Sequence, residues 1–124
     1  MTRGPQPLQA IQEARVLGSK IGTIWDSPYT GNACVDLIIF CAHAIIFVKI
    51  KRTRTHIGDL LDIMGQYSRE IAHLRRIPQT VVAYRELWVR SQRGSWLYYR
   101  ILDDGIIEIR WDRTTIADPA KDTI

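Results

Sequence analysis

An α/β fold, one mixed sheet flanked by helices, is what this chain predicts, and three features carry the prediction. Residues 35–52 read as two short apolar strands joined by a tight turn. Leu8, Ile11, Ala14 and Leu17 recur at helical spacing, as do Leu60, Met64, Tyr67, Ile71 and Leu74 further on. Three more strand-like runs follow, separated by turn-forming residues.

In chain order, residues 1–6 form a loose arm and residues 7–19 a first amphipathic helix ending near Gly18. Glu13 is its only acid and stands apart from its apolar stripe. Residues 21–25 predict a strand, and residues 26–32, rich in Pro, Gly and Asn, a loop. The hairpin comes next. The second stripe predicts one long helix of about 20 residues, with Thr55 as its N-cap and Pro78 as its stop. Its outer side carries Arg69, Glu70, His73 and Arg76, with His73 a surface histidine. Strands follow at residues 80–90, 96–102 and 106–111, with turns at Gln92-Arg93-Gly94 and Asp103-Asp104-Gly105. The tail from Thr114 is expected to fray.

The hairpin poses the chemical question. A turn centred on Ala42 and His43 sets Phe40 opposite Ile45, Ile38 opposite Phe47 and Asp36 opposite Lys49. Ile46, Val48 and Ile50 then share a core face, while Phe47, Lys49 and Lys51 share the other. Asp36, Lys49 and Lys51 collect at the end away from the turn.

A length of 124 residues predicts a single domain, 1–124, able to bury roughly two thirds of its unfolded surface. No apolar run approaches the ~20 residues that span a bilayer, and no signal-peptide core opens the chain. The expectation is an intracellular, cytoplasmic protein with no membrane contact. Cys34 and Cys41 have no His or Cys at metal-ligand spacing and read as buried thiols. Lys and Arg number 17 against 13 acids. That excess says less than its placement: Lys49, Lys51, Arg52 and Arg54 fall within six residues, with Arg75 and Arg76 later. The cluster reads either as a phosphate-binding surface or as a solvated strand end, with Arg75 and Arg76 offsetting a helix dipole. Trp88, Trp96, Tyr98, Tyr99 and Trp111 read mostly as ladder packing, with base stacking by an exposed subset as the alternative.

Helix with an acid, strand, Gly/Pro loop, Asp-strand-turn-strand ending in Lys and Arg, then a long helix: in this order residues 8–90 resemble the PD-(D/E)xK nuclease superfamily. The nearest likeness is to archaeal-type Holliday junction resolvases. Trp25-Asp26-Ser27-Pro28 and Gly31 ahead of Val35-Asp36 resemble the loop leading into that family's Pro-Asp. The resemblance implies a restriction-endonuclease-like core, DNA as partner, a homodimer, and Mg²⁺ or Mn²⁺ as cofactor if the protein is active. It implies catalytic roles for Glu13, Asp36 and Lys51, with Asp36 and Glu13 as the metal ligands of an active enzyme. The remaining acidic slot falls on Lys49, and Val35 stands where the family has Pro.

An ammonium in place of a carboxylate shifts the local charge by two units. Each unit pair at ~4 Å is worth about 4 kcal/mol, before solvation, in an effective dielectric of 20. Paired with Asp36, Lys49 competes with a metal while still attracting phosphate. The expected function is binding of structured or branched DNA through Lys49, Lys51, Arg52 and Arg54, with degenerate catalysis. Two alternatives stay open. One is an active metal-dependent endonuclease whose missing acid comes from Glu86, Asp26 or Glu70. The other is a non-catalytic module that self-associates.

Overall fold

Alternation of apolar and polar side chains decides the centre of the molecule. In the structure, a computed structural model that describes residues 8–26 and 35–113, strands β2 (Leu37–Phe40) and β3 (Ile45–Arg52) form the hairpin. Phe40 faces Ile45 and Ile38 faces Phe47, the register expected from the turn. The ladder continues past β2, where the Asp36 N–H donates to Val48 O at 2.8 Å. Ile46, Val48 and Ile50 are buried. Phe47, Lys49 and Lys51 therefore occupy the opposite face.

Helix α1 (Leu8–Ser19) buries Ala10, Ala14 and Gly18 on the hairpin's apolar face. Strand β1 is Thr23–Asp26, shifted from the expected 21–25, and pairs antiparallel with β2. Gly22 allows this entry: a Cβ there would lie 2.5 Å from the carbonyl oxygen of Phe40, a contact that backbone cannot relieve.

The long helix expected between β3 and the later strands is instead two helices, α2 (Leu60–Gln66) and α3 (Ser68–Leu74). The break is at Tyr67, whose φ of −114° and ψ of 29° leave the helical region. Glycine at position 65 weakens the helix just before it. The break lets α2 lie over the distal edge of the sheet and α3 over its centre. Asp59, not Thr55, is the N-cap. Its Oδ1 accepts from Asp62 N–H at 2.9 Å, and Asp62 Oδ2 accepts from Asp59 N–H at 3.2 Å. Such a box contributes about 1 kcal/mol. The Thr55 hydroxyl pairs instead with Thr53 Oγ1 at 3.0 Å. Because α2 starts at Leu60, that residue is partly exposed, and Ile63, Tyr67, Ile71 and Leu74 form the buried stripe.

Strands β4 (Ala83–Arg90), β5 (Trp96–Ile101) and β6 (Ile106–Ile109) complete the sheet. Among the described residues the strand order is β1-β2-β3-β4-β5-β6, antiparallel except for the parallel pair β3 and β4. A parallel pair needs a crossover, which α2 and α3 supply. The expected start of β4 at residue 80 moves to 83, because Thr80 Oγ1 accepts from the N–H groups of Val82 and Ala83 and turns the chain there. Gly94 holds the β4–β5 turn with φ of 89°. The α1 face of the sheet packs Leu37, Ile39, Val48, Ile50 and Trp88. The other face packs Leu87, Val89, Tyr99 and Ile101 under α2 and α3.

Arg85 ties these layers together. Fully buried, it donates to Ile101 O at 2.9 Å, Ile77 O at 3.0 Å and Arg75 O at 3.3 Å. It thereby takes up carbonyls that follow α3, where the helix dipole is negative. Arg75 in turn donates to Leu102 O at 2.9 Å and Gly105 O at 3.2 Å. The expected arm at residues 1–6, most of the loop at 26–32, Cys34 and the tail from Thr114 lie outside the described residues.

Candidate functional site

The open end of the β2–β3 hairpin builds a corner of alternating charge. Asp36 Oδ2 accepts from the Ile50 N–H at 2.8 Å, so the carboxylate extends the strand ladder. Asp36 Oδ1 lies 3.6 Å from Lys49 Nζ, and the two side chains are only 12% and 16% exposed. Two residues on, Lys51 Nζ meets Glu70 Oε2 of α3 at 3.1 Å. Strand alternation places both lysines on the face that α3 covers, and the kink at Tyr67 sets α3 there.

Just beyond, Thr53 is buried and pinned, its N–H donating to Arg90 O at 3.0 Å. Arg52 and Arg54 flank it and are both exposed. Arg76 is exposed as well, whereas Arg75 is tied to the β5–β6 turn.

The other acids go elsewhere. Glu13 pairs with Arg90 Nε at 3.0 Å, on the face that α1 covers. The hydrogen bond from Arg90 holds its carboxyl below the usual range. Glu13 and Asp36, expected together as ligands, thus answer to different cations on opposite faces of the sheet. Glu86 is fully buried and takes Trp88 Nε1 at 3.0 Å, Arg100 Nη2 at 3.4 Å and Arg113 Nη2. Asp26 pairs with Arg15 at 3.1 Å near the surface. Of the three acids considered as replacements, Glu70 faces the lysine corner.

A divalent metal does not fit this corner. Hard cations of this kind need oxygen ligands, commonly several carboxylates. Among the described residues no group of three or more His, Cys, Asp or Glu is placed to hold one. Both carboxylates present face ammonium groups. A dication ~4 Å from one ammonium meets a repulsion of about 8 kcal/mol in an effective dielectric of 20.

Trp88, Tyr98 and Tyr99 are core, and Trp96 and Trp111, half-buried, pack against it. Trp88 meets Tyr98, Trp111 and Trp96 edge-on, with ring centroids 5.1, 6.0 and 6.4 Å apart. Burial pushes the Tyr98 phenol up to about 12, so it stays neutral. Cys41 is half-buried with a free thiol, and burial raises its pKa. Sequence reasoning missed Arg90, Arg100 and Arg113 as partners of the acids. Each stands 14 to 77 residues from the carboxylate it binds, so no local motif marks it.

No helix among the described residues is long and apolar enough to cross a membrane. No family model matches the sequence, and no curated protein matches it. In three dimensions the chain is similar to Hjc of Archaeoglobus fulgidus, a Holliday junction resolvase from an archaeal hyperthermophile. The TM-score is 0.56 at 13% sequence identity, over 82% of this chain and 86% of that one. The fold of this chain is thus the restriction-endonuclease-like α/β fold of that resolvase, a mixed sheet with helices on both faces.

Proposed function

We propose that this protein grips the phosphate backbone of branched or structured DNA and does not hydrolyse it. The observation that supports this reading most is the Asp36–Lys49 pair. It supports the reading that Lys49 stands in the slot where the resemblance expects a metal-holding carboxylate. Lys49, Lys51, Arg52 and Arg54 together exceed Asp36 and Glu70 by two charges, so the corner keeps a positive field. Arg52 and Arg54, exposed on either side of a pinned Thr53, make the direct phosphate contacts. Lys49 and Lys51 contribute mainly through that field.

Binding to a four-way DNA junction at low salt tests this. Arg52→Ala with Arg54→Ala is expected to weaken binding about tenfold or more and to reduce the salt slope by about two. Lys51 is left in place because its loss would strand Glu70. Absence of junction binding at low salt, or binding unchanged in the double variant, would overturn the reading.

The position of Glu70 beside Lys51 favours one second reading, an endonuclease in which Glu70 supplies the migrated acid. That reading requires nicking of a junction with Mg²⁺ or Mn²⁺ that disappears in Asp36→Ala.

A homodimer belongs to the proposal as well. Trp25 and Phe40, 48% and 47% exposed, stand on β1 and β2 where α3 does not reach. Pairing two chains there would set two cation corners on one particle. Light scattering should give twice the chain mass, and Phe40→Ser should lower it to one. A single-chain mass for the parent protein would refute this part.

A further inference from the structure

At the turn end of the hairpin, away from Asp36 and on the α1 face, lies a cavity of about 410 Å³. Its walls include Cys41, Ala44, Ile46, Tyr84, Arg100 and Arg113. We infer that this cavity is a binding site for a small organic anion, an oxyanion head on an apolar body.

The charge count comes first. Arg100 and Arg113 share one carboxylate, Glu86, so among the described residues two guanidinium charges face one buried negative charge. Arginine does not relieve this by losing its proton. Among the described residues, Arg100 Nε and Arg113 Nη1 are buried without a hydrogen-bond partner. Buried donors without partners are rare in native proteins and call for an explanation. Tyr84 covers one face of the Arg100 guanidinium, with Cζ 4.0 Å from the ring centroid, and adds no formal negative charge. Burial disfavours the charged form of both arginines and lowers their pKa values.

The chain also holds Arg113 there at a conformational cost. It follows β6 with φ of 75°, a region that non-glycine residues seldom occupy. The apolar walls, Ala44 and Ile46, set what surrounds the charge. An ion with a bare hydration shell loses water there without replacement, whereas an apolar body gains. The head is a carboxylate or a phosphate, since either accepts charge-assisted hydrogen bonds from guanidinium.

Calorimetric titration of the full chain with benzoate, dAMP and inorganic phosphate, each separately, tests the site. Saturable binding of benzoate or dAMP, tighter than that of inorganic phosphate, is expected and identifies the head. Ala44→Leu fills the cavity without touching the ion network and should weaken that binding about tenfold or more. Arg113→Gln should weaken it too, provided the variant keeps its fold by circular dichroism. The inference fails if no probe saturates up to about 10 mM, or if Ala44→Leu binds as the parent does. Junction binding should be unchanged in Ala44→Leu, so failure here is distinguishable from failure of the DNA-binding proposal.

Discussion

Lys49→Glu is expected to convert the Asp36 corner into a divalent-metal site. The substitution removes an ammonium 3.6 Å from Asp36 Oδ1 and adds a carboxylate on the face shared with Glu70. For an incoming dication this replaces repulsion by attraction, a swing of two unit charges at close range. In an effective dielectric of 20, each charge pair at ~4 Å is worth about 4 kcal/mol before solvation. Dehydration of the ion takes back a large part of that. Saturable Mn²⁺ binding in the range of about 10–100 μM is the expected result, with none in the parent chain. Lys49→Gln, which removes the ammonium without supplying an oxygen anion, should bind far more weakly than Lys49→Glu. Mn²⁺ binding by the parent as tight as by the variant would show that Lys49 does not block the site. Together with nicking that requires Asp36, it would establish the endonuclease reading instead.

Glu86→Ala is expected to destabilise the protein by about 3–5 kcal/mol. That is a large share of the roughly 5–15 kcal/mol by which domains are stable. Glu86 is fully buried in β4 and is the shared acceptor for Arg100, Arg113 and the Trp88 indole N–H. Its removal leaves two partly buried cations facing each other without the carboxylate between them. Trp88 sits at the centre of an aromatic cluster with Trp96 and Trp111, so urea unfolding followed by tryptophan fluorescence measures the loss. Glu86→Gln keeps an acceptor for the indole while removing the charge, and should lose less than Glu86→Ala. A loss below about 1 kcal/mol in Glu86→Ala would mean that the carboxylate is not what holds the arginines in place. Glu86 was one of the acids considered as a migrated ligand. Its burial among two arginines and an indole assigns it to stability instead.

How far the chain could be read depended on how local each interaction is. The hairpin register follows from the period-two pattern and a two-residue turn, so Phe40 opposite Ile45 was legible, and with it the approach of Lys49 to Asp36. The extent of α1 followed from apolar residues at helical spacing, and the three later strands from strand-like runs between turn formers, though β4 starts three residues later than expected. The single long helix was not. Its stripe runs unbroken through Tyr67, but the two halves lie over different parts of the sheet, a constraint that exists only after the sheet has formed. The N-cap at Asp59 was marked in the sequence by Asp62 three residues on, whereas Thr55, the expected cap, pairs with Thr53 instead.

The candidate site divides along the same line. Alternation along two neighbouring strands determined, from sequence, that an acid and two lysines share one face at one end of a hairpin. Tertiary packing alone decided that Glu13 would be drawn to Arg90, that Glu86 would be enclosed by Arg100 and Arg113, and that Glu70 would meet Lys51. Those partners come from elements far apart in the chain. A charge selects among distant partners by distance and desolvation, and neither quantity exists until helices and sheet have packed.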